Sequence, residues 1–197
     1  MKIKSMAMKN ILLPVIIIIA LASVSSAQQK PAFSSQTYAG MVTGEATTDL
    51  QLQTINGLSW KQWFAGAGVG IDWYSFRSVP LFASVNRSFF QKGKRSLFVS
   101  GDAGVNLPWV EERLYTLDLV YRDSDLSPGL YWAGGLGYRF GVGKADNALL
   151  FQVGYSYKRM QEKVTSNFPC FSPPCVPVTE TYDYRMKRIS VRVGWGF

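Results

Sequence analysis

Six charged residues stand on the same side of strongly alternating segments: Asp72, Asp102, Arg139, Lys158, Arg188 and Arg192. Two carboxylates facing four cations in a sheltered space can form an ion-pair network, because charges withdrawn from water persist only when paired or hydrated. Catalysis is a weaker reading. The chain has no histidine, which removes Ser–His and Cys–His nucleophile pairs and any His-ligated metal. No spacing picks out a Ser–Lys dyad or a carboxylate pair, so no enzyme activity, cofactor or metal is expected. Gly66-Ala67-Gly68-Val69-Gly70 has the look of a phosphate loop, but Ile71-Asp72-Trp73-Tyr74 follows. A strand continues there where a helix N-terminus would be needed. Cys170 and Cys175 lie in a proline-rich stretch, and in an exported chain a disulfide is the simplest reading; metal binding by two thiols is a poor second. Glu111, Glu112, Asp123 and Asp125 offer oxygens to a hard cation, although acidic loop residues are usually just solvated.

The elements that must position the six charges are β-strands. In Met186 to Phe197 the residues Ile189, Val191, Val193, Trp195 and Phe197 share one face; Arg188, Ser190, Arg192, Gly194 and Gly196 share the other. This period-2 pattern suits a wall between lipid and a polar interior. Eight such segments can be read: about Tyr38–Gly44, Leu50–Leu58, Trp63–Tyr74, Val79–Phe89, Ser96–Leu107, Gly129–Val142, Ala148–Met160 and Tyr184–Phe197. The expected fold is all-β: an eight-stranded antiparallel up-and-down transmembrane barrel. Ten strands is the alternative, because Tyr115, Leu117, Leu119 and Tyr121 also alternate. Connections 2–3, 4–5 and 6–7 are short and polar, whereas Pro108–Pro128 and Gln161–Asp183 are long. Bacterial barrels put short turns in the periplasm and long loops outside. Parity then places Phe64, Gly66, Gly68, Gly70, Asp72, Ser100, Asp102, Gly104, Asn106, Ala133, Gly135, Gly137, Arg139, Gln152, Gly154, Ser156 and Lys158 inside, with Gln51 and Gln53.

The start of the chain points to export. Lys2, Lys4 and Lys9 precede a short apolar run, Ile11 to Ala22, and Ser25-Ser26-Ala27 supplies small residues for cleavage. Residues 1–27 are expected to be a signal peptide, too short to span a bilayer; 28–37 a short segment; and 38–197 the barrel. Losing 1–27 removes three lysines and no acid, so the formal charge falls from +8 to +5. The remaining cations are scattered among strands and turns, with one small cluster at Lys92, Lys94 and Arg95, and do not form the dense basic, aromatic-studded face that nucleic acid requires.

Trp63-Phe-Ala-Gly-Ala-Gly-Val-Gly-Ile-Asp-Trp-Tyr74, Val79-Pro-Leu-Phe82 and Val193-Gly-Trp-Gly-Phe197 resemble strands of the small outer-membrane β-barrel family that includes OmpA-, OmpX- and OmpW-type domains. The resemblance covers roughly Tyr38 to Phe197. It implies residence in the outer membrane, contact with outer-membrane lipid, and recognition of Val193, Trp195 and Phe197 as an insertion signal by the barrel-insertion machinery. The expected function is that of a structural or surface-interaction protein with a closed polar lumen, meeting any extracellular partner through its two long loops. A narrow channel for small or apolar solutes is the alternative.

Overall fold

The computed structural model describes residues 30–45, 47–109, 121–143, 147–167 and 178–197. The described residues form nine strands: β1 (Ala32–Gly44), β2 (Thr48–Trp60), β3 (Trp63–Asp72), β4 (Ser78–Lys92), β5 (Arg95–Pro108), β6 (Tyr121–Ser127), β7 (Gly129–Gly141), β8 (Ala148–Asn167) and β9 (Val178–Gly196). All pairings are antiparallel. Eight strands close a ring in the order β1-β2-β3-β4-β5-β7-β8-β9, and β9 returns to β1. The seam runs from Gln36↔Gly196 to Gly44↔Arg188. Ser35 and Phe197 exchange both backbone hydrogen bonds below it, at 2.9 and 3.0 Å. A closed ring leaves no raw edge, which is what a spanning sheet requires.

The alternation explains which way each residue points. On β9, Met186, Arg188, Ser190 and Arg192 are buried, and Ile189, Val191, Val193 and Trp195 are exposed. The same inversion of a soluble core runs around the ring, with Leu50, Leu52, Leu81, Val85, Val105, Leu136, Phe151 and Val153 all outward. An aliphatic band facing out and a polar face turned in is the arrangement for hydrocarbon surroundings. Among the described residues no helix is long and apolar enough to cross a membrane.

Two turns at one end are tight. Trp60 pairs with Trp63 across Lys61-Gln62, and Lys61 takes a positive φ of 54°. Lys92 pairs with Arg95 across Gly93-Lys94, with Gly93 at φ 61°. Two-residue hairpins need this left-handed geometry to match strand twist, and Gly supplies it without strain.

The other end departs from the sequence expectation. The stretches Pro108–Pro128 and Gln161–Asp183 are not simply loops. β6 lies within the first; β8 runs on to Asn167 and β9 starts at Val178 within the second. β6 pairs with β8 from Ser127↔Gln161 to Tyr121↔Asn167, and β9 pairs with the same stretch of β8. A three-stranded ribbon therefore projects beyond the apolar band. Pro128 separates β6 from β7: a proline cannot donate to a ladder, so the strand is interrupted there and resumes on both sides. Likewise β1 begins at Ala32 rather than Tyr38. A fifth hairpin wall, as ten strands would require, is not formed among the described residues.

Candidate functional site: the barrel interior and the outward ribbon

The interior is stratified. Nearest the tight turns, Gln36 accepts from Tyr38 Oη at 3.0 Å and from Asn86 Nδ2 at 3.1 Å. They sit beside a cavity of about 380 Å³ lined in part by Lys94, Arg139 and Asn147. Arg139 belongs to this mouth: it pairs across the ladder with Ser96, whereas Ala133, further along β7, pairs with Asp102. The sequence placed Arg139 with the carboxylates because parity gives the face of a residue and not its height.

Above the mouth the lumen is aromatic. Tyr38, Phe64, Phe82, Phe98 and Tyr131 pack with Ile55, Ala133 and Leu150, all buried. The inward glycines make room for these rings. A Cβ on Gly137 would collide with the Phe98 ring, and one on Gly194 with Tyr38. Polar side chains alone do not fill this lumen, as the sequence expectation of a polar interior supposed; large rings on one strand lie over the bare backbone of the next. The signal was already in the sequence, since Phe82, Phe98 and Tyr131 share parity with Ser84, Ser100 and Ala133.

A first charged layer crosses the rings. Arg192 Nη2 lies 3.5 Å from Asp102 Oδ2, while its Nη1 donates to Gln53 Oε1. Ser84 Oγ donates to the other oxygen of Asp102 at 2.6 Å, and Gln53 Nε2 donates to Tyr131 Oη at 2.9 Å. Five strands (β2, β4, β5, β7 and β9) are thereby tied across the interior.

The second layer lies towards the ribbon. Arg188 Nη1 donates to Asp72 Oδ2, and Lys158 Nζ stands 3.6 Å from the same oxygen; all three side chains are wholly buried. Lys158 also donates to the carbonyls of Tyr74 and Phe76 at 3.0 and 3.1 Å and to Ser78 Oγ at 3.1 Å. Tyr74 N donates to Asp72 Oδ1 at 2.9 Å, and Arg188 is stacked over the Tyr74 ring. The β3–β4 turn is thus drawn inward over the lumen, with Ser75 at φ 57°. Tyr74 packs with Val42, Met160 and Met186, and Phe76, Leu126 and Tyr184 close over them.

Of the six charges read from sequence, Asp72, Lys158 and Arg188 meet in one layer, Asp102 and Arg192 in another, and Arg139 stands at the opposite mouth. Several interior atoms have no hydrogen-bond partner among the described residues: Gln51 Nε2, both amide atoms of Asn106, Ser156 Oγ, Arg188 Nε and Nη2, and Arg192 Nε. Cys170 and Cys175 lie outside the described residues. Val193 and Trp195 face outward on β9, and Phe197 follows it.

On the ribbon, Arg159 Nε donates to Asp183 Oδ1 at 2.8 Å and Arg185 Nε to Asp183 Oδ2 at 3.1 Å. The Arg159 hydrogen bond holds the Asp183 carboxyl below the usual carboxylate range. Glu162 accepts from Ser124 Oγ at 2.6 Å and from Tyr184 Oη at 2.9 Å, joining β6, β8 and β9. Burial, followed by the Glu162 contact, pushes the Tyr184 phenol up to about 12. The sequence expectation missed this network because it treated the region as loop.

No protein-family model and no curated protein matches the chain. Among solved structures, similar chains include a de novo designed transmembrane β-barrel (12% identity, TM-score 0.46, covering 87% of this chain and 100% of that one). The outer membrane protein AlkL in DMPC lipid bilayers is 13% identical, with a TM-score of 0.45 over 88% of this chain and 94% of its own. The outer membrane protein OprG from Pseudomonas aeruginosa is 12% identical, with a TM-score of 0.47 over 87% and 98%. Likeness at this level says nothing about what the chain binds.

Proposed function

We propose that this chain is an outer-membrane β-barrel whose lumen is closed and whose work is done outside the bilayer by the β6–β8–β9 ribbon. The observation that carries the reading is the pair of charged layers beneath the inward-drawn β3–β4 turn. Asp72–Arg188–Lys158 and Asp102–Arg192–Gln53 tie opposite walls, and the Tyr74 cluster sits over the first. An eight-stranded barrel has an interior just wide enough for side chains to fill. With the lumen occupied, the ribbon is the surface left for a partner, which supports a structural or surface-interaction role. Export by a cleaved signal peptide and recognition of Val193, Trp195 and Phe197 by the insertion machinery belong to the same reading.

Full-length protein in planar bilayers tests the closed lumen: silence at all voltages is expected, and discrete steps would overturn it. Fractionation tests the location, since recovery in a soluble periplasmic fraction would end the membrane assignment. A narrow channel is the second reading. The unpartnered polar atoms of Gln51, Asn106 and Ser156 favour it, because they could line a hydrated path.

A further inference from the structure

The described residues around the short turns are basic. Around the short turns stand Lys61, Arg87, Lys92, Lys94, Arg95 and Arg139, and no Asp or Glu occurs there among the described residues. The ribbon end is mixed: Glu45, Asp49, Asp125, Glu162, Glu180 and Asp183 stand among Arg77, Arg159, Lys163, Arg185 and Lys187, and Arg77 lies over the Trp109 ring at 5.6 Å. Three of the short-turn cations share one construction. Lys61 lies over the Trp60 ring at 5.1 Å, Arg87 over Trp63 at 5.1 Å, and Arg95 over Phe140 at 5.3 Å. The rings themselves face outward, with exposures of 42%, 45% and 37%.

The geometry points to a binding belt for anionic phospholipid headgroups in the leaflet that meets the short turns; this rests on the membrane reading above. Interfacial aromatic rings fix depth, with the apolar face towards acyl chains and the polar edge at the headgroups. A cation held over such a ring stands at phosphate depth. Ring contact uses the face of a guanidinium and leaves its N–H edge free to donate to phosphate oxygens in forked geometry. The cations of Lys61, Arg87 and Arg95 have no carboxylate partner among the described residues. Basic clusters at a membrane surface attract anionic lipid, and the attraction weakens with salt. Three stations around the rim, on the β2–β3 turn, β4 and β5, would hold several lipids in an annulus.

The test reconstitutes the full chain in phosphatidylcholine vesicles and measures, by electron spin resonance, the association of spin-labelled phosphatidylglycerol relative to spin-labelled phosphatidylcholine. Wild type is expected to prefer phosphatidylglycerol by at least about threefold. The triple variant Lys61→Gln, Arg87→Gln, Arg95→Gln should bring the ratio close to one, with heat-shifted gel migration confirming that it folds. Arg185→Gln with Lys187→Gln, at the ribbon end, should leave the ratio unchanged. An inserted wild type with no preference overturns the inference. So does a preference that survives the triple variant, or one lost only in the ribbon-end variant. Failure to insert at all would instead sink the membrane reading.

Discussion

The guanidinium of Arg188 on β9 and the carboxylate of Asp72 on β3 meet inside the barrel, each side chain wholly buried. Lys158 on β8 reaches the same carboxylate oxygen at 3.6 Å. One acid therefore serves two cations, and the roles are unequal. Asp72→Asn leaves two buried positive charges facing a neutral amide, a situation that costs about 3–5 kcal/mol when a buried pair is broken. Arg188→Met leaves Asp72 still paired with Lys158. The expected order in urea unfolding from detergent micelles is wild type, then Arg188→Met, then Asp72→Asn as least stable. Equal loss in both variants would argue against the shared-carboxylate arrangement.

The aromatic filling makes a second prediction. Gly137→Ala places a methyl group against the Phe98 ring, and overpacking of this kind costs about 1–3 kcal/mol. Phe98→Leu should be mildly destabilising alone yet partly rescue Gly137→Ala, because the obstruction is the ring. A double-mutant cycle of unfolding free energies reads this directly. Additive losses would place the clash elsewhere.

Acid should loosen the ribbon before the barrel. The Asp183 carboxyl is held low by Arg159 and then Arg185. Its contribution is complete above the ordinary carboxylate value of about 3.9 and fades as pH falls through the lower folded value. Carbon-13 titration of the Asp183 carboxyl should give a midpoint below that of a free aspartate. Asp183→Asn should speed amide exchange in 161–167 and 178–182 while sparing 189–196.

Alkali acts through Tyr184. An acid that binds its proton more tightly when folded costs stability as pH rises from the unfolded to the folded value. For Tyr184 that window runs from about 10 to about 12, and phenolate formation would set a second negative charge beside Glu162. Glu162→Gln removes that neighbour and should lower the phenolate midpoint seen by ultraviolet absorbance. An unchanged midpoint would mean that burial alone sets it.

Cys170 and Cys175 are expected to be oxidised in an exported chain. Alkylation of the folded protein should modify neither thiol without prior reductant and both after it. Modification of both at the outset would end the disulfide expectation.

The alternation of Gly66 to Asp72 and of Arg188 to Phe197 made the ring legible, because a wall with lipid on one side forces a period of two. The ribbon was hidden for the converse reason. Outside the bilayer neither face must be apolar, so Thr179, Glu180, Thr181 and Asp183 read as loop although they pair with Thr165, Val164, Lys163 and Gln161. Height along the axis was hidden as well. Sequence parity groups Arg139 with Arg188, and only the strand register separates them.

The β1–β9 seam has a consequence in time. Until Gln36 to Gly44 find Arg188 to Gly196, the chain is an open sheet with two adhesive borders and a greasy outer face. The partners that end this state come from opposite ends of the barrel sequence, so a nascent chain emerging in order cannot shelter its first strand by itself. The ring is therefore complete only when its last strand has been made, and the ladder hydrogen bonds of β1 on that side are left unsatisfied until then.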